Sequence, residues 1–180
     1  EMELQLANTL LHKFYPASID TASGGYFANF SADWQLAPKQ SKIVVTQGRG
    51  LWVSSTMAQV FPEDARYARA AHHGYRFLRD HMWDSLHGGF FFSQPNGVAL
   101  LHKKSYGQAF GIYGLAAYHQ LTGHPEALEL AWQTFLWLDG HARDPVHGGY
   151  LDLDKLEEMI DAVVGDDSEK VLLMSKAMRR

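Results

Sequence analysis

Arg49 is the one charged side chain between Lys42 and Glu63, in the run Gln47-Gly48-Arg49-Gly50-Leu51-Trp52. A guanidinium keeps its charge near neutral pH, and leaving it unpaired inside a protein is costly. Two partners would satisfy it. A carboxylate from an adjacent loop, such as Asp33, would make Arg49 a tie between helix and loop. An anionic species formed during a reaction would make it an electrostatic stabiliser in a polar pocket. Trp52 follows one turn later and shares the face of Arg49 by its i, i+3 spacing; its ring is either core packing or a stacking platform. Tyr106 takes the corresponding early turn of the next uncharged stretch, where its plainest role is that of a core tyrosine.

The other side chains capable of chemistry repeat, and repetition favours structure over catalysis. His81 and His141 are equivalent positions one repeat apart, as are His87 and His147, and all four are expected to bond the turn backbone between helix and hairpin. His72 and His73 stand together on a charged helix. No His-Glu-x-x-His or comparable spacing occurs, so no metal site is expected. Asp20, Asp84 and Asp144 are likewise equivalent and read as turn caps. The chain has no cysteine, which excludes disulfides and thiolate metal sites.

These residues hang on a threefold repeat of the form Asp-x-x-x-Gly-Gly-aromatic, ending at Tyr26, Phe90 and Tyr150. A period of about 60 residues means stacked supersecondary units. After each glycine pair comes a short aromatic run with the composition of a strand closed by a turn, and Asn96-Gly97 marks one hairpin turn. Two helical segments follow, split by proline: 47–60 and 63–82 around Pro62, then 106–121 and 126–141 around Pro125. The unit is hairpin, helix, turn, helix.

Charge separates the two helices of a unit. The first carries only Arg49 in one unit and nothing between Lys104 and Glu126 in the next. The second is amphipathic, with Ala65, Ala68, Ala71, Tyr75, Leu78 and Met82 as its expected apolar face. Uncharged helices are expected to be buried all round and charged ones to lie outside, which describes the inner and outer rings of a mainly α fold, an α/α toroid with short β-hairpins in its loops. Gly107, Gly111 and Gly114 cost helix propensity and are expected to form a bare strip where a neighbouring helix or a ligand comes close.

Composition sets limits. The chain has 180 residues, 46% of them apolar and 13% aromatic, with a net charge of −4. Those values are globular and offer no basic footprint for nucleic acid. The longest uncharged run is interrupted by three glycines, His119, Gln120 and Thr122, so it reads as a buried helix and not a membrane span. Absence of a visible secretion signal favours the cytoplasm.

The Gln47–Trp52 motif with Lys42 ahead of it, the three Gly-Gly loops, Lys104-Ser105-Tyr106-Gly107-Gln108-Ala109-Phe110 and Leu121-Thr122-Gly123-His124-Pro125 together resemble the N-acylglucosamine 2-epimerase family, over roughly residues 4–154. The family includes cellobiose 2-epimerases and the aldose–ketose isomerases of mannose and sulfoquinovose. The resemblance implies an (α/α)6 barrel around a sugar pocket, of which this chain, read as one domain over 1–180, supplies about three of six hairpins, with residues 155–180 as a divergent helical tail. It implies that Arg49 stabilises an enediolate formed by proton removal at C2, that Tyr106 and Trp52 face the sugar, and that no cofactor is needed.

The family's histidine acid and base include one from an Asn-x-x-x-His motif after the third Gly-Gly loop. Here residues 151–180 hold neither histidine nor asparagine. A toroidal glycoside hydrolase or lyase, or a half-barrel without turnover, stands as the alternative; hydrolysis wants two carboxylates across the scissile bond, and the inner helices carry none. The apolar N-terminal flank, Leu4, Leu6, Leu10, Leu11 and Phe14, is expected to be covered by a second copy or by a complementary C-terminal half, and the isolated chain to be inactive.

Overall fold

The computed structural model describes residues 12–95 and 102–152. A short α1 (His12–Ala17) leads through the first Gly-Gly turn to β1 (Ser41–Ile43), then α2 (Val44–Val60) and α3 (Ala65–Phe77), which ends in a π-helical turn, Leu78–Met82. The second turn leads to β2 (Ser93–Pro95), α4 (Ser105–Thr122) and α5 (Pro125–Ala142). Helix ends follow local chemistry. Asp64 caps α3 by accepting from Arg66 N, so that helix starts after Pro62 and not at Glu63. Gly123 closes α4 in the left-handed conformation (φ 68°), and Pro125 opens α5 where its missing N–H has no cost.

The two uncharged helices pack directly on each other. A methyl on Gly48 would run into the Phe110 carbonyl, and one on Gly114 would lie 2.6 Å from the Gly48 carbonyl. Gly111 faces the Phe90 ring, and Gly107 faces Val44 and Phe92. The bare strip of α4 is therefore the seat of a neighbouring helix and of the aromatic runs, as its spacing predicts. Helix α3 packs on α2 and α5 on α4. Two complete hairpins, α2–α3 and α4–α5, thus stand side by side as a segment of an α/α toroid, around a core that includes Tyr26, Leu51, Tyr75, Leu78, Phe90 and Leu115.

Three expectations are corrected. Ala65 and Ala68 are exposed, and Tyr67, Ala70, Gly74 and Phe77 complete the buried face of α3; alanine has too little surface to force a face inward. Strand β1 pairs antiparallel with β2, Lys42 opposite Gln94, so the sheet joins successive units; within the second unit Phe92 N donates to His102 O at 3.0 Å. Helices α2 and α4 are not buried all round, because Arg49, Tyr106, Ala109, Tyr113, Ala116 and Gln120 are exposed. The Asn96-Gly97 turn, residues 4–11 of the N-terminal flank and the 155–180 tail lie outside the described residues. Phe14 is half-buried against Tyr15 and Trp34. Among the described residues no helix is long and apolar enough to cross a membrane.

Candidate functional site

Each inner helix is anchored at its N-terminal end by the Gly-Gly turn that precedes it. In the first unit Asp20 Oδ1 accepts from Ala22 N at 3.0 Å and Ser23 N at 2.9 Å, and Lys42 Nζ reaches Asp20 Oδ2 at 2.6 Å and the Gly24 carbonyl. Gln47 accepts from Tyr26 N at 2.8 Å and donates to Tyr26 O at 2.9 Å. The second unit repeats this with Asp84, Lys103 at 2.7 Å, and Gln108 on both backbone groups of Phe90 at 2.7 and 2.8 Å. Positive φ at each glycine pair lets the turn close, and the rings of Phe77 and Trp137 fill the space a side chain would take at Gly25 and Gly89.

Burial pushes the Asp84 carboxyl up, but the Lys103 ammonium and the amides of His87 and Leu86 outweigh it and hold the group at about 2. Asp20 is held low by Lys42 and by the Ser23 and Ala22 amides against the same opposing burial. Amides of Val146 and His147 lower Asp144. All three are turn caps, as their repetition predicts. The histidines divide. His87 and His147 meet the capping carboxylates of Asp84 and Asp144 at 3.2 and 3.1 Å. His81 stacks on Phe77 at 5.3 Å, and His141 stacks on Trp137 at 4.4 Å with its Nδ1 2.7 Å from the Trp137 carbonyl of the same helix, which corrects the expectation that they bond the turn. Among the described residues no group of three or more His, Asp or Glu could hold a metal.

With the N-terminal ends of α2 and α4 fixed, their open stripes form one surface. Arg49 is exposed and has no hydrogen-bond or ion-pair partner among the described residues, so neither the buried guanidinium nor the tie to Asp33 is present. Helix α2 carries no other charge because three of its sides are packed, while the side bearing Arg49 faces open space. Trp52 is half-buried and stacks on Tyr113 at 5.2 Å and 19°. Tyr106 is 58% exposed, not core, and packs edge-on to Phe110 at 4.9 Å; Phe110 meets Tyr113 at 6.1 Å.

The aromatic wall thus runs from Tyr106 through Phe110 and Tyr113 to Trp52, with Arg49 one turn from Trp52. Phe110 and Tyr113 were missing from the sequence-based candidates, although Tyr113 lies seven residues from Tyr106, two turns along the same face. Chemically the wall offers apolar ring faces, two phenols and one guanidinium that has no partner among the described residues, and no carboxylate stands on either helix. It can stack on and hydrogen-bond a neutral polyol and stabilise an oxyanion.

The family described as N-acylglucosamine 2-epimerase (GlcNAc 2-epimerase) matches residues 25–160. A cellobiose 2-epimerase of Bacteroides fragilis is 32% identical over 152 residues, 83% of this chain and 38% of the relative. Among solved structures, the cellobiose 2-epimerase from Spirochaeta thermophila superposes with a TM-score of 0.77 at 38% identity, covering 84% of this chain and 37% of that one. A D-mannose isomerase gives a TM-score of 0.74 at 27% identity, covering 84% and 39%. The chain spans less than two fifths of the length of these proteins.

Proposed function

The chain belongs to the N-acylglucosamine 2-epimerase family, and from that premise we propose that it builds one wall of a sugar pocket in a 2-epimerase or aldose–ketose isomerase. The observation that carries this is Arg49: an exposed guanidinium without a partner among the described residues, one turn from an aromatic stripe, on helices free of carboxylates. Proton removal from C2 of the open-chain sugar leaves an enediolate, and the role given to the Arg49 N–H groups is to stabilise its oxygens. Tyr106 and Trp52 bind the substrate, Trp52 through the ring pair it makes with Tyr113. Return of the proton to the opposite face at C2 gives the epimer; delivery to C1 gives the ketose.

The general acid and base are assigned to no residue of this wall. His87 and His147 are engaged by Asp84 and Asp144, His81 by stacking on Phe77, and His141 by stacking on Trp137 and a bond to its carbonyl. Turnover is therefore proposed for a polypeptide with the further length its relatives have. The exposed stripe Leu128, Trp132 and Leu136 on α5 supports cover by a complementary segment or a second copy.

The test is an assay of that longer polypeptide on cellobiose, N-acetylmannosamine and mannose in heavy water, followed by NMR. Epimerisation puts deuterium at C2 of an aldose and isomerisation yields a ketose. Hydrolysis with no exchange at C2 would replace the proposal with the glycosidase alternative.

A further inference from the structure

The solvent-facing side of α3 carries a groove of about 670 Å³ lined by Arg69, His72, His73 and Arg76 and by one carboxylate, Asp80, with Ala65 and Ala68 leaving its floor open and the first Gly-Gly turn flanking it. A second cavity of about 320 Å³, walled by Tyr15, Ile19 and Ala70, shares Arg69 and His73 with it. Arg69 and Arg49 are the arginines without a carboxylate partner among the described residues. Arg76 has only Asp80 at 3.9 Å, and that carboxylate is already held by Arg79 at 2.6 Å. His73 is oriented by the Gly25 carbonyl at 3.0 Å and His72 by the Tyr118 hydroxyl at 2.9 Å.

The four residues follow i, i+3, i+4, i+7 spacing and so share one face. Arg69 and Arg76 lie roughly 10 Å apart along the axis, each about 5 Å from the imidazole turn between them. Two long guanidinium side chains can converge there from opposite ends. A single carboxylate would occupy one fork, whereas a tetrahedral dianion offers oxygens to both. We propose that this groove binds a phosphate group, either free or as a small phosphate monoester whose organic part enters the adjoining cavity. The site is independent of the carbohydrate wall.

Calorimetric titration of the full chain with inorganic phosphate and with phenyl phosphate, in low salt at about pH 6.5, tests it. Saturable binding at millimolar concentration or below is expected, weakened about tenfold or more by Arg69→Gln or Arg76→Gln and unchanged by Arg143→Gln, which removes an exposed charge outside the groove. Tighter binding of phenyl phosphate identifies an ester as the ligand; equal binding identifies free phosphate. Both arginines are exposed, and a thermal melt of each variant checks that folding is kept; should one fail, the other decides. No saturable binding of either probe, or an equal loss in Arg143→Gln, would overturn the proposal.

Discussion

The indole of Trp52 on α2 and the ring of Tyr113 on α4 stack with centroids 5.2 Å apart and planes 19° from parallel, so the two inner helices share a half-open ring pair on the wall assigned to the sugar. An offset aromatic pair contributes about 1 kcal/mol beyond its area. A double-mutant cycle of Trp52→Ala and Tyr113→Ala should show a coupling of about that size in urea unfolding. Strictly additive losses would mean that the rings merely lie side by side.

Gln108 satisfies both backbone groups of Phe90, a residue 0% exposed, from a side chain that is itself 0% exposed. Gln108→Leu fills the space and leaves a buried N–H and C=O unpaired. The expected cost is about 2–3 kcal/mol, read from denaturant midpoints, with an equal loss for Gln47→Leu on Tyr26.

Glycines separate by what surrounds them. Gly48→Ala would drive a methyl into the Phe110 backbone and is expected to cost more than about 2 kcal/mol. Gly140, within α5, has nothing within 4 Å of its missing side chain. Gly140→Ala should therefore stabilise by about 0.5–1 kcal/mol through helix propensity. Thermal melts of the two variants should move in opposite directions.

How much of this was legible in the sequence depends on the range of the signal. The two-layer order of α2, α3, α4 and α5 was readable because charge is a property of each helix by itself. The glycine strip of α4 was readable for the same reason. The exposure of Arg49 was not, because an uncharged helix looks alike whether its last side meets a neighbour or a cavity. The pairing of β1 with β2 depends on how units stack, and three-residue strands carry too little pattern to announce it. His81 and His141 do not bond the turn because Phe77 and Trp137, one turn before them, offer a ring to stack on and, at Trp137, a helix carbonyl to bond.

Asp84 and Lys103 form a largely buried pair, with side chains 10% and 11% exposed. Asp84→Asn strands the ammonium with the Gly88 carbonyl and should cost about 3 kcal/mol, whereas Asp144→Asn, at an exposed turn, should cost less. The folded Asp84 value of about 2 lies below the unfolded value of about 4. Its contribution is therefore complete above about pH 4 and is lost as pH falls toward 2. Stability measured over that window should fall less steeply in Asp84→Asn than in the parent; an identical acid limb would show that the pair does not couple to folding.

The most direct measurement is the turnover of Arg49→Ala in the longer, active polypeptide, beside Arg49→Lys and a thermal melt of each. Removing one preorganised charge from a developing oxyanion should lower turnover by about a hundredfold or more, with partial recovery in the lysine variant and an unchanged melt, since Arg49 is exposed and has no partner among the described residues. Turnover within a fewfold of the parent, or a loss of activity that accompanies unfolding, would contradict the place given to Arg49 in the chemistry.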